Sequence, residues 1–311
     1  MSRKAIAGRT RSGKPTVAID GAGRLAAFLA TALHAAGFTI TEIVARNTPR
    51  SRRRALDLAA KVGARAVTAR SAALGATLLW FCVPDGAIRR AASDLAVQLI
   101  ARANANNQNR VQNKVKDKPR FAFHSSGALS SRELNPLRKA GVAVASVHPL
   151  MTFVAGAHPS LTGVPFAIEG DEKATRVARQ IVDRLGGESF ALPAARKAAY
   201  HAWATLTSPL LLAFLVTLEE AARAAGLTRE DARRKSLPIL RQTLANYSLL
   251  GPERSFSGPL IRGDVETVTK HLAVLKKHSG TRDVYMTLAR AALRGLPVKN
   301  RNGLTRLLRA P

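Results

Sequence analysis

Short apolar runs alternate with stretches of helical period over the first half of the chain. Runs at 16–19, Thr39–Ala45, Ala64–Val67, Ala76–Val83, Arg120–His124, Ala143–Val147 and Val164–Ile168 have the length and composition of buried strands. Leu25–Ala36, 51–61 and 86–101 lie between them with apolar residues at helical spacing. A helix at Ala174–Leu185, closed by Gly186-Gly187, and a short strand at Ser189–Leu192 complete the series. This order predicts an α/β fold with a doubly wound sheet. The texture changes after Pro193. Ala195–Ala225 is apolar nearly all round and is interrupted by Pro209. His201, Thr205, Thr207, Ser208 and Pro209 argue against a membrane span, so a helix buried in a domain or dimer core is expected. Thr228 and Asp231 form a capping-box-like start for a helix at 229–247 with Pro238 inside it. Further helices are expected over Asp264–Lys277 and Asp283–Leu293, so the second half is all-helical.

The first strand runs into Gly21-Ala22-Gly23-Arg24-Leu25-Ala26. Strand, Gly-x-Gly-x-x-Ala turn and helix in succession form a dinucleotide site. The first Gly allows the turn, the second admits the pyrophosphate, and Ala26 lets helix and strand pack. An NAD site would place Asp or Glu at the end of the second strand, to accept from the ribose hydroxyls. This chain has Arg46 and Asn47 there, then Thr48 and Arg50. A guanidinium with neighbouring donors suits a 2′-phosphate, so NADP is the expected cofactor. The bland alternative is surface basicity. Val83, Pro84 and Asp85 end another strand and should border the cofactor, although Asp85 could simply cap the next helix. Gly8-Arg9-Thr10-Arg11-Ser12-Gly13-Lys14-Pro15 resembles a P-loop but fails as one. Pro15 replaces the metal-binding hydroxyl, and a strand rather than a helix follows.

At 311 residues and 46% hydrophobic content the chain can build two cores. Its single cysteine, Cys82, forbids an internal disulfide and fits a reducing cytoplasm. Its apolar strand setting reads as a buried structural thiol. No secretory signal is visible, and a cytoplasmic location is expected. Much of the formal charge of +29 is clustered at 1–14, 102–120 and 294–309. With only 5% aromatics and no finger or aromatic sheet signature, specific nucleic-acid binding is not expected.

Several motifs occur together. They are Gly21-Ala22-Gly23-Arg24, Val83-Pro84-Asp85, His124-Ser125-Ser126-Gly127-Ala128-Leu129 and His148-Pro149-Leu150, followed by Phe166-Ala167-Ile168-Glu169-Gly170-Asp171, Lys197-x-x-Tyr200-His201-Ala202, Gly258-Pro259 and Arg262-Gly263-Asp264. Over about residues 16–295 the chain resembles the bacterial Rossmann-like oxidoreductases with a C-terminal domain of unknown function 2520. It is more distantly similar to pyrroline-5-carboxylate reductase and the β-hydroxyacid dehydrogenases. The resemblance implies an NADP-binding Rossmann domain and a helical dimerisation domain of the 6-phosphogluconate dehydrogenase type. It also implies a homodimer with its active site between the domains. The expected division is a disordered basic leader (1–15), a Rossmann domain (16–193) with a mobile loop at 102–119, a helical substrate and dimerisation domain (194–296) and a basic tail (297–311). Two departures stand out. Ser208-Pro209 occupies the place of an expected Ser-Asn, and Asp20 precedes the phosphate turn, where a carboxylate is unfavourable unless a cation such as Arg24 offsets it.

Reduction of a carbonyl or imine needs a proton or hydrogen-bond donor at the heteroatom. Lys197 and His201 are four apart and share a helix face, so either could donate. A lysine at this position resembles the catalytic lysine of β-hydroxyacid dehydrogenases. The plain alternatives are a solvent lysine and a satisfied core histidine. Ser125 and Ser126 follow a strand end and could meet the substrate or simply close a turn. His148 and Arg262 are candidate substrate contacts, Arg262 as a carboxylate clamp or as a salt-bridge partner of Asp264. No metal-ligand spacing is present. The sequence thus predicts an NADP-dependent oxidoreductase acting on a small carbonyl, hydroxy or imine compound. A non-catalytic NADP-binding regulatory or scaffold dimer is the alternative.

Overall fold

The computed structural model describes residues 14–108, 119–157 and 159–309. Residues 1–13 of the expected leader, 109–118 of the expected loop and the last two of the tail lie outside the described residues. The chain forms two compact units, Met1–Ala204 and Thr205–Pro311.

The first unit is an eight-stranded sheet of Rossmann type. In chain order it contains β1 (Val17–Asp20), α1 (Arg24–Ala35), β2 (Ile40–Ala45), α2 (Pro49–Val62), β3 (Arg65–Thr68), β4 (Leu78–Phe81) and α3 (Asp85–Gln108). Then follow β5 (Phe121–His124), α4 (Asn135–Lys139), β6 (Ala143–Pro149), β7 (Pro165–Gly170), α5 (Glu172–Arg184), β8 (Glu188–Ala191) and the start of α6 (Lys197–Thr207). The strand order is β3-β2-β1-β4-β5-β6-β7-β8. Pairing is parallel except between β6 and β7, where Val147 faces Ile168. The order reverses between β1 and β4, which is where a doubly wound sheet opens a crevice for ligands. Both sheet faces are covered. Val17 and Ile19 pack on one side with Leu29, Leu33 and Ile43, while Ala18 packs on the other with Leu79, Phe81 and Leu95. That is why the strands read as apolar runs rather than alternating ones. Each fully buried Leu or Ile contributes about 1.5–3 kcal/mol.

The link into β4 is held by opposite polarities. Glu42 of β2, buried, accepts from the backbone N–H of Ala73 at 3.0 Å and pairs with Arg65. Arg102 of α3 donates to the carbonyls of Ala72 (2.7 Å) and Ala73. Leu74 follows with φ +54° and is fully buried. The helix therefore continues past the expected loop start at 102, because Arg102 has partners one helix turn beyond the apolar period.

The second unit holds α7 (Pro209–Arg223), α8 (Arg229–Ser255), α9 (Pro259–Arg262), α10 (Val265–Leu275), α11 (Ser279–Gly295) and α12 (Arg301–Arg309). Its core joins Val268 and Leu272 with Met286, Leu293, Leu304 and Leu308. The expected frayed tail is thus a packed helix. Leu304 and Leu308 are buried, and Arg290 donates to the Leu308 carbonyl at 3.0 Å. α8 continues beyond 247 through a kink at Gly251. The interruption expected at Pro209 splits Ala195–Ala225 into two helices at Ser208, with φ −130° and ψ −77°, and this chain alone buries no residue of α7. Leu206 and Leu212 are each 62% exposed. Ala194–Arg223 is long and apolar enough to cross a membrane by length and composition alone, yet Lys197 and Tyr200 in its first half are buried. The same burial places the division between units inside α6 rather than at Pro193.

Candidate functional site

The phosphate turn divides its work between two glycines. Gly21 has φ +120°, and a Cβ there would lie 2.5 Å from the Cys82 carbonyl oxygen. Only glycine lets β1 turn this close to β4. Gly23 caps α1 with ordinary φ, and a Cβ there would meet nothing within 4 Å. No side chain caps α1 and no acid lies in its first turn, so its N-terminus offers free N–H groups and positive potential. This is a cradle that a methyl group would fill, and it fits a phosphate. A groove of about 1170 Å³ borders Ala22, Gly23 and Arg24, with Arg50 and Arg54 also lining it. Leu25 is half-buried behind the turn.

Arg46 and Asn47 are exposed where β2 ends. The Arg46 N–H donates to Ser51 Oγ at 3.1 Å, Thr48 caps α2, and Asn47 accepts from Arg52. The carboxylate of Glu42 is occupied farther back on the strand, which leaves a basic strand end. Asp20 is desolvated, and burial followed by the nearby Asp94 pushes its carboxyl up to about 7.

The second cluster lies at the carboxyl ends of β5 and β6. Ser125 and Ser126 are buried and already engaged. Ser125 Oγ accepts from Trp80 Nε1 at 2.9 Å. Ser126 Oγ donates to Asp85 at 2.8 Å and accepts from the N–H of Leu129 at 2.9 Å. The Ser126 hydroxyl spends its proton on Asp85 and fits the turn-closing alternative, whereas Ser125 only accepts from Trp80 and keeps its own O–H to donate. Asp85 lies in the first turn of α3, while after β4 Val83 is half-buried against the core and Pro84 is exposed. His124 accepts from the Ser126 N–H at 3.1 Å and bonds the Ser130 carbonyl at 3.0 Å, closing the same turn.

Lys197 is not in solvent. It is 2% exposed and donates to the Ser126 carbonyl at 2.7 Å and to Ser146 Oγ at 2.6 Å. Among the described residues no carboxylate lies within ion-pair distance of it. Burial lowers its pKa to about 8, with Glu169 and Asp85 opposing from farther away. A buried ammonium without a paired carboxylate is costly to keep. Beside it, His148 Nδ1 meets the Tyr200 hydroxyl at 2.8 Å. The rings of His148 and His201 lie 6.4 Å apart, and His201 is exposed. Gly127 makes room for both. A Cβ there would sit 2.7 Å from His201 Cδ2 and 2.8 Å from His148 Nε2. Lys197, His201 and His148 are therefore brought together around the Ser126–Gly127 turn. Arg262 belongs to the second unit, exposed at the end of α9, where Asp264 caps α10 through the Thr267 N–H at 2.9 Å. Ser146 escaped the sequence reading, and Gly127 and Tyr200 stood in quoted motifs without a role. Ser146 left one signal, a lone hydroxyl within the apolar run Ala143-Val144-Ala145-Ser146-Val147.

Burial lowers His124 and His148 to about 4, with the Lys197 cation adding in the same direction. Both are neutral in the folded protein at pH 7. An unfolded histidine protonates near 6.5, so their contribution is full above that value and is lost as the pH falls from 6.5 towards 4. Asp20 acts in reverse, because its raised pKa adds stability at low pH that is lost as the pH rises through 7. Net loss on the acid side is expected in urea melts between pH 7 and 4, and Asp20→Asn should steepen it. An unchanged slope in that variant would show that Asp20 does not hold its proton in the fold.

Residues 164–292 match the family model described as Domain of unknown function (DUF2520). No curated relative matches the chain in sequence. Among solved structures, a Bacteroides fragilis protein provisionally assigned as an NADP oxidoreductase is similar at 20% identity, with a TM-score of 0.68 over 89% of this chain and 97% of that one. Pyrroline-5-carboxylate reductase of Coxiella burnetii is similar at 16% identity and a TM-score of 0.55 over 90% and 96%. A reductive aminase of Aspergillus terreus, solved with NADPH and ethyl-5-oxohexanoate, is similar at 15% identity and a TM-score of 0.59 over 95% and 100%. The similarity is one of fold: the chain has a Rossmann-type fold, and its residues 164–292 carry the match to DUF2520.

Proposed function

We propose that this protein is an NADP-dependent oxidoreductase that moves hydride between the nicotinamide and a small carbonyl, hydroxy or imine compound. The observation that carries the reading is Lys197. A buried ammonium without a paired carboxylate, at the carboxyl edge of a Rossmann sheet, serves packing poorly. It serves well as a fixed positive field beside groups that polarise a substrate. The solved relatives named above as NADP and NADPH proteins support the cofactor class. NADP supplies the hydride when bound; the Gly23 cradle would take its pyrophosphate and Arg46 with Asn47 its 2′-phosphate. His148 and His201 then stand as the substrate-facing donors. Lys197 biases His148 electrostatically, and Ser126, held by Asp85, fixes the turn on which the two histidines converge. Arg262 is retained as a candidate carboxylate clamp.

The second unit reads as the dimerising one. Ile239 (69%), Leu244 (62%) and Leu249 (81%) on α8, with Leu212 on α7, expose more apolar surface than a monomer ordinarily does. The lone, half-buried Cys82 agrees with a reducing cytoplasm. Titrating the protein with NADPH and NADH is expected to show NADPH binding at least about tenfold tighter. Arg46→Ala should remove most of that margin, as loss of one charge-assisted bond does. A preference that survives Arg46→Ala would sink the cofactor assignment. Tight NADPH binding with no turnover across a carbonyl and imine panel would favour the scaffold alternative.

A further inference from the structure

His148 can exist as an imidazolium or as either of two neutral tautomers, and each presents a different group to the space over Gly127. Nε2 is the ring atom on the Gly127 side, 2.8 Å from where a Cβ would be. Nδ1 is on the Tyr200 side, 2.8 Å from the hydroxyl. Tyr200 is itself fixed. It is 7% exposed and stands edge-on to His148, with the Phe190 and Trp203 rings 6.0 and 5.9 Å away. Burial pushes its phenol up to about 12, so the hydroxyl keeps its proton. Among the described residues that hydroxyl has one hydrogen-bond partner, His148 Nδ1. A buried hydroxyl donates where an acceptor is available. Donation into Nδ1 leaves the imidazole proton on Nε2.

The charged and titratable groups facing His148 agree. Lys197 and His201 approach from α6 and His124 from the end of β5, and all three disfavour a second proton on the ring. The Gly127 turn brings no side chain at all.

We propose that Tyr200 is a positioning residue that fixes His148 as its Nε2–H tautomer, which makes His148 a neutral hydrogen-bond donor for the oxygen or nitrogen of the substrate. A neutral imidazole donor polarises a C=O or C=N bond and keeps its own proton in the resting enzyme. The substrate role rests on the oxidoreductase reading; the tautomer does not. The side chain that recognises the reacting heteroatom is then a strand-end histidine, with its second nitrogen tied to the next domain-linking helix. Gly127 is the specificity-determining residue, because any side chain there would occupy the space that Nε2–H needs.

The test uses the full chain with 15N-labelled histidine, and two-bond 1H–15N spectra at pH 7 without ligand. The His148 signals, assigned by their loss in His148→Gln, are expected to show the Nε2–H pattern. Tyr200→Phe should convert them to a mixture of tautomers while the thermal midpoint moves little. In turnover assays Tyr200→Phe is expected to lower kcat/KM about tenfold. His148→Gln, which keeps an N–H donor near Nε2, should retain more activity than His148→Ala. An Nδ1–H tautomer or an imidazolium in the parent protein overturns the proposal, as does a spectrum unmoved by Tyr200→Phe. The expected spectra with no NADPH-dependent turnover of any compound would leave the tautomer standing and remove the oxidoreductase reading alone.

Discussion

Lys197→Met is expected to lower turnover at least about a hundredfold while leaving the protein folded and close to its parental thermal midpoint. The two effects have separate origins. Removing a preorganised charge from a catalytic centre typically costs about 10²–10³ in rate. For stability, the methionine fills similar volume and relieves the desolvation of an ammonium, a penalty of several kcal/mol in a protein interior. Against that, the Ser126 carbonyl and Ser146 Oγ lose a donor, which costs about 1–3 kcal/mol. The opposing changes are similar in size, so the midpoint should move by only a few degrees. His148 provides a readout independent of turnover. Its pKa is held near 4 by burial and then by Lys197, so its titration should move upward in the variant. A collapse of the midpoint by more than about 10 °C would make Lys197 a structural residue.

The second large effect distinguishes the two turn glycines. Gly21→Ala is expected to destabilise the protein by about 3–5 kcal/mol, since it combines a positive φ with a Cβ placed against backbone. The obstacle is the Cys82 carbonyl at 2.5 Å, which cannot rotate away as a side chain could. Gly23→Ala should leave the denaturation midpoint unchanged, because its φ is −83° and nothing lies within 4 Å of the new methyl. Its effect should appear in NADPH affinity, which is expected to weaken at least about tenfold as the methyl enters the cradle. Equal stability losses in the two variants, or unchanged affinity in Gly23→Ala, would mean that the phosphate is not received at this turn.

What could be read from the chain followed from local rules. The Gly21-to-Ala26 turn between a strand and an Ala-rich helix and the helix closure at Gly186-Gly187 are each settled within a few residues. Arg46 is placed at a strand end by the length of β2 alone. The sheet was legible because its strands are buried on both faces and so read as unbroken apolar runs. The site was legible only as a set of candidates. Lys197 reads as an ordinary helix-start lysine until the fold buries it against Ser126 and Ser146, and those contacts span 71 and 51 residues. Ser126 looks like a donor until Asp85 takes its proton, a contact 41 residues away in the chain. Tyr200 stood in a motif without a role, since its partner His148 lies 52 residues away. In α6 and α7 the apolar character was read correctly, but composition cannot say whether such a surface is covered by the same chain.

The clamp on Ala72 and Ala73 has a bearing on how this scaffold could vary. Glu42 belongs to the half of the sheet that carries β1–β3, and Arg102 to the helix that leaves β4. Between them they grip one peptide segment by its donor and its acceptors, with a buried Leu74 as the peg. The gripped segment lies ahead of β4, on the side of the sheet where the strands begin rather than where they end. Relatives can therefore vary the side chains at the carboxyl ends, such as those around Gly127, without loosening either charge-assisted grip.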